Sequence, residues 1–173
     1  MLPKLTLVLG GAASGKSALA ESLITDTGAP RVYIATAQGF DTEMRAKIAD
    51  HRTARGPDWH TIEAPLDLAP ALGQTRVNQV VLLDCATLWL SNQILAERDI
   101  EAAQAELLDA LNHTQARVVV VSNEVGQSGV PDNALARKFR NSQGRLNQGI
   151  ARNADLVIAV MAGLPIVLKG KMP

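Results

Sequence analysis

Leu5-Thr6-Leu7-Val8-Leu9-Gly10-Gly11-Ala12-Ala13-Ser14-Gly15-Lys16-Ser17 decides how this chain folds. Its first five residues are apolar or β-branched with no polar–apolar alternation, which is the pattern of a strand buried on both faces. The next eight match G-x-x-x-x-G-K-[ST]. Small residues there let the backbone curl so that successive N–H groups converge on phosphate oxygens. Beyond the loop, Lys16–Ile24 repeats Leu19/Leu23 and Ala20/Ile24 at i, i+4, the spacing of one helix face. A strand, a glycine-rich loop and a helix N-terminus in that order form a site for a nucleoside polyphosphate. Lys16 is placed to reach the β- and γ-phosphates, Ser17 to ligate Mg²⁺, and Gly10, Gly11, Ala12, Ala13, Ser14 and Gly15 to supply the amides.

Working outward, four more strand-length runs share the two-sided apolar character: Val32–Ala35, Val80–Leu83, Val118–Val121 and Leu156–Val160. A sixth, Ile166–Leu168, follows Gly163–Pro165 too closely for a parallel crossover, so it is expected antiparallel at a sheet edge. Helical periodicity appears in Thr42–Asp50, where Phe40, Met44 and Ile48 align, and in Glu101–Leu111. It recurs in Asn133–Arg152, with Leu135, Phe139, Leu146 and Ile150 on one expected apolar face. The opposite face of that last helix carries Arg137, Arg140, Asn141, Gly144 and Gln148, readable as a solvated surface or as an anion-binding wall. Arg52–Thr75, with Pro57, Pro65 and Pro70, is the least regular stretch. The expectation is a single α/β domain over residues 1–173: a P-loop three-layer α/β/α sandwich, mostly parallel, with an antiparallel C-terminal edge strand.

Composition bounds the partners. Lys and Arg number 17 and Asp and Glu 17, so no global field advertises nucleic acid or an anionic membrane. No apolar run approaches the ~20 residues of a membrane span, and aromatic residues make up 3% of the chain, which gives little support to base stacking. The one cysteine, Cys85, closes a buried-looking run and reads as a reduced structural thiol, which with the absence of a targeting segment suggests a cytoplasmic protein.

Two further candidates arise from position. A phosphate loop works with a second acidic group near the metal, and Asp84, closing Val80–Leu83, fits. His51, three residues past Ile48, falls near the inward side of its helix among Arg45, Lys47, Arg52 and Arg55. Neighbouring cations favour neutral imidazole, the form that attacks phosphorus. His60 and His113 look ordinary, one in a loop and the other at a helix C-terminus. Glu124, after the fourth of these runs, is a weaker site candidate. Taken alone, the loop is also compatible with a small-molecule kinase that forms no covalent intermediate, or with a GTP-gated binding module.

The chain resembles the bifunctional adenosylcobinamide kinase/adenosylcobinamide-phosphate guanylyltransferases of cobalamin assembly. The resemblance runs through Leu9–Ser17, Tyr33-Ile34-Ala35-Thr36, Glu43-Met44 to His51, Trp59-His60-Thr61-Ile62-Glu63 and Leu82-Leu83-Asp84-Cys85. It continues through Ser122-Asn123-Glu124-Val125-Gly126, Val130–Arg137, Phe139-Arg140 and Gly144–Gln148. It implies phosphorylation of adenosylcobinamide by an NTP, ATP or GTP, then transfer of GMP from GTP through a GMP–histidine at His51. It further implies nucleotide contacts at Ala35, Thr36, Ala37, Arg52, Thr53, Ala54, Arg55 and Glu63, and a homo-oligomer, a trimer. Arg55-Gly56-Pro57, Gln127-Ser128-Gly129 and Asn141 depart from the pattern.

Overall fold

Strong β-formers without alternation call for a sheet covered on both sides, and the computed structural model, which describes residues 1–38, 56–127 and 129–173, has one. Its strands are β1 (Leu5–Gly10), β2 (Arg31–Ala35), β3 (Trp59–Glu63), β4 (Val80–Asp84), β5 (Arg117–Asn123), β6 (Leu156–Met161) and β7 (Leu164–Lys169). They lie in the order β3-β2-β4-β5-β1-β6-β7. All neighbours pair in parallel except β6 and β7, which pair antiparallel as their short connection requires.

Five described helices flank the sheet: α1 (Lys16–Thr25), α2 (Leu68–Gly73), α3 (Ala86–Leu95), α4 (Ile100–His113) and α5 (Ala134–Asn153). Alternate residues of each central strand feed two cores. Leu7, Val81, Leu83, Val118 and Val120 pack with Trp89, Leu107, Leu111, Leu146 and Ile150 under α3, α4 and α5. Val8, Leu82, Val119, Val121 and Ile158 pack with Ala20, Leu23 and Ile24 of α1. The result is three layers in which β1 to β6 all end at the same edge.

The structure corrects several expectations. The stretch expected to be irregular, Arg52–Thr75, contains β3 and α2. Trp59-His60-Thr61-Ile62-Glu63 hides its strand character because an edge strand is partly solvated and carries polar residues on both sides. His60 accordingly lies in a strand rather than a loop. Helix α3 carries apolar residues around most of its circumference and buries Thr87, Asn92 and Gln93 as well, so it presents no clean apolar stripe. On α5 the expected face fails at its start: Leu135 is 58% exposed. The face that is buried runs through Ser142, Gln143, Leu146, Asn147, Gly149 and Ile150. The sixth run is the antiparallel edge strand expected, longer than its apolar signal, at Leu164–Lys169, and exposed along its length. The expected helix Thr42–Asp50, His51, Arg52, Thr53, Ala54 and Arg55, together with Ser128, lie outside the described residues.

Candidate functional site: a phosphate loop and its acidic partner

β1 ends in Gly10 and α1 begins at Lys16, with Gly15 as the N-terminal flanking residue in the left-handed region at φ 94°. No side chain caps α1 and its first turn contains no acidic residue, so its leading amides and the positive end of its dipole are left for an anion. Ala13 is also left-handed, at φ 55°. Ser14 N–H donates to Gly11 O at 3.3 Å, closing the curl. The Ser14 hydroxyl is buried and without a hydrogen-bond partner among the described residues, a polar atom in need of a ligand. Lys16 Nζ donates to Gly11 O at 3.0 Å, folding its charge over the loop.

A support absent from the motif comes from the far end of the chain. In the β6–β7 turn, Gly163 N–H donates to Ser14 O at 2.9 Å. A Cβ on Gly15 would lie 3.2 Å from Gly163 Cα, so the two backbones meet at a glycine on each side. At Gly10 the constraint is tighter: a Cβ there would sit 2.3 Å from Ser14 Oγ and 2.8 Å from Val160 O. Gly10→Ala is therefore expected to lower stability by about 2 kcal/mol and to weaken nucleotide binding together with it. Thermal melting with and without GTP measures both, and an alanine variant that melts like the wild type would contradict the packing.

Asp84 ends β4, two strands from β1 and at the same edge. Its Oδ2 accepts the Tyr33 hydroxyl at 2.9 Å. Tyr33, itself braced edge-on by Trp59, thus fixes the carboxylate's orientation. Thr36 is fully buried and ties down the next peptide: its N–H donates to Asp84 O, its hydroxyl to Cys85 O, and Cys85 N–H donates back to Thr36 Oγ1. Asn92 Nδ2 then donates to Thr36 O at 2.8 Å. Thr36 therefore acts within the protein by holding β2 against the end of β4. Cys85 is the N-cap of α3, its Sγ accepting from Leu88 N–H. Burial foremost, with Asp84 beside it, pushes the thiol up to about 11, so it is protonated at neutral pH and has no nucleophilic character.

Hard oxygen donors such as the Ser17 hydroxyl and the free oxygen of Asp84 suit Mg²⁺. Among the described residues no group of three or more His, Cys, Asp or Glu forms a metal cage.

Ala35, Ala37 and Glu63 lie along the same edge but on the other side of Asp84. Ala35 pairs with Glu63 on β3 and with Asp84 on β4. At ~4.8 Å per strand, Glu63 is roughly 19 Å from the phosphate loop across the sheet. The candidate residues therefore run as one row along the edge, from Glu63 through Ala35–Ala37 and Asp84 to Gly10–Ser17, with β5 between Asp84 and the loop. Arg137 and Arg140 do not form a free cationic wall. Arg137 donates to Pro131 O and Asp132 O and Arg140 to Gly129 O, fastening the preceding segment to α5. Glu124 turns its carboxylate to Gly126 N–H at 2.6 Å and lines a groove of about 490 Å³ between α5 and β7.

Residues 6–168 match the family described as cobinamide kinase / cobinamide phosphate guanyltransferase. The chain is 42% identical over 168 residues to the bifunctional adenosylcobalamin biosynthesis protein CobP of Pseudomonas aeruginosa, covering 95% of this chain and 97% of that protein. It is 40% identical over 187 residues to the bifunctional adenosylcobalamin biosynthesis protein CobU of Salmonella typhimurium, covering 94% and 98%. Among solved structures, an ATPase from the type III secretion system of pathogenic bacteria superposes with a TM-score of 0.55 at 9% identity, over 95% of this chain and 56% of that one. That likeness concerns the fold alone.

Proposed function

The chain belongs to the cobinamide kinase / cobinamide phosphate guanyltransferase family, and from that membership we propose how its residues divide the two reactions. The protein is a bifunctional enzyme of adenosylcobalamin biosynthesis, a cobinamide kinase and a cobinamide-phosphate guanylyltransferase. Gly10–Ser17 binds the triphosphate of ATP or GTP, with Lys16 on the terminal phosphates. Asp84 and Ser17 hold Mg²⁺, which when bound supplies charge neutralisation of the phosphates. The observation that carries this reading is the pairing of an uncapped loop–helix junction at Gly15–Lys16 with an oriented Asp84 on the same sheet edge.

In the kinase step the substrate hydroxyl attacks the γ-phosphorus, and the nucleoside diphosphate leaves. The enzyme's share is positioning and charge stabilisation, performed by Lys16 and the loop amides. The guanylyl step attacks a different phosphorus. His51 adds to the α-phosphorus of GTP, forming a P–N bond as the bond to pyrophosphate breaks. A phosphate oxygen of adenosylcobinamide phosphate then takes the GMP, and the imidazole is released. Arg52–Arg55 and Glu63 are assigned to the guanine nucleotide. Supporting the division is the spread of Ala35–Ala37 and Glu63 away from the loop, because one rigid pose does not serve attack at both ends of a triphosphate.

Incubation with Mg²⁺, GTP and adenosylcobinamide tests the assignment: mass spectrometry should find the phosphate first and the GDP-linked product after it. Nucleotide turnover indifferent to cobinamide would sink it. The protein is further assigned to the cytoplasm and to a homo-oligomer, a trimer. Supporting assembly are Leu164, Ile166 and Leu168, which are 68%, 48% and 60% exposed on the edge strand β7. Sedimentation of the wild type and of Ile166→Lys checks this, a monomeric wild type being the contrary result.

A further inference from the structure

One polar side chain between the phosphate loop and Asp84 has no part in what has been described. Asn123 is the last residue of β5, the strand between β1 and β4. Its register partner on β1 is Gly10, the first residue of the loop, while Asp84 on the other flank pairs with Val121. Val119 and Val121 belong to the core under α1, and alternation puts Asn123 on that same face. The carboxamide therefore emerges at the strand tip on the α1 side, about one strand spacing, ~4.8 Å, from Gly10.

The backbone of Asn123 is held on both sides. Its N–H donates to Thr87 Oγ1 at 2.8 Å and its C=O accepts from Asn147 Nδ2 at 3.1 Å. Thr87 and Asn147 are themselves tied to buried Ser122 and Gln143. By contrast, the side-chain amide makes no hydrogen bond among the described residues, although the residue is only half-buried. The next residue does not compete for the role. Glu124 gives its N–H to Gly10 O and its carboxylate to Gly126, and it lines the groove on the opposite face. The backbone that carries this amide is fixed, and the amide itself is left for a ligand.

We infer that the Asn123 carboxamide donates to the terminal phosphate of the bound triphosphate, so that the site distinguishes triphosphate from diphosphate. The inference rests on reading Gly10–Ser17 as the nucleotide loop. Lys16 and Asp84 bracket the β/γ end of such a ligand, and Asn123 stands between them in the sheet. A neutral amide suits the position because it donates a hydrogen bond without competing with the metal for Asp84.

The test measures affinities for the α,β-methylene analogues of GTP and GDP with Mg²⁺ by calorimetry, since neither analogue can yield a GMP adduct. Asn123→Ala is expected to lose about tenfold in triphosphate affinity, the loss of one hydrogen bond to a charged group, with diphosphate affinity unchanged. Asn123→Asp should lose more through repulsion, again selectively. Thermal melts report folding, and both variants keep the backbone contacts to Thr87 and Asn147. A wild-type ratio of the two affinities in both folded variants would overturn the inference. Lys16→Ala, run alongside, separates the causes. If it weakens binding while both Asn123 variants keep the wild-type ratio, only the Asn123 inference fails. If it too binds like the wild type, the loop assignment fails with it.

Discussion

Lys16→Ala is expected to lower both cobinamide phosphorylation and GMP transfer by about 10²–10³-fold, the largest effect of any substitution in the phosphate loop. Lys16 lies in the first turn of α1 and folds its ammonium over the loop at Gly11 O. In the proposed kinase step it would neutralise charge gathering on the terminal phosphates. In the proposed guanylyl step it would neutralise the departing pyrophosphate, so both rates should fall together. Lys16→Arg should not restore them, because the wide planar guanidinium does not reproduce a point charge in a loop closed by Ser14 and Gly163. Steady-state rates under saturating GTP and Mg²⁺ make the comparison, with a melt to establish folding. Rates within threefold of the wild type would remove Lys16 from the chemistry.

His51→Ala separates the two activities. Wild-type protein incubated with Mg²⁺ and GTP labelled at the α-phosphate, then denatured, should retain acid-labile, base-stable label, the behaviour of a phosphoramidate. The alanine variant should retain none, and its GMP transfer should fall to background, because without imidazole no covalent nucleotide forms. Its kinase rate should stay within severalfold, since the proposed assignment gives γ-phosphoryl transfer to the loop, Lys16 and Asp84. Equal loss of both activities in a folded variant would refute the division of labour. Unlabelled wild type that still binds GTP would leave a simple kinase as the better description.

How far the sequence could be read depended on whether the relevant interaction was local. The β1–loop–α1 unit was legible because each part carries its own signal within a few residues: an unbroken apolar run, glycines, then i, i+4 repetition. The same holds for the cores of β2, β4, β5 and β6, which lie inside the sheet and so show two-sided apolarity. Edge elements were less legible. β3 is mixed in character because water covers part of it, and β7 extends well past the short apolar run that signalled it. The α5 face was misread at Leu135 because Gln143 and Asn147 are buried against Ser122 and Asn123, partners more than twenty residues away in the chain.

The sequence by itself determined the layered α/β class, the strand–loop–helix unit at Leu5–Ile24 and the family, and it singled out Lys16, Ser17 and Asp84 as candidates. Tertiary structure alone decided that Gly163 props the loop from the C-terminal hairpin and that Tyr33 aims Asp84. It alone decided that Asn123, and not Glu124, shares the loop's face. The reason is physical. Local periodicity and backbone conformation are encoded in neighbouring residues, whereas strand order and register, which bring distant residues within hydrogen-bond reach, follow from how the whole sheet buries its two apolar faces.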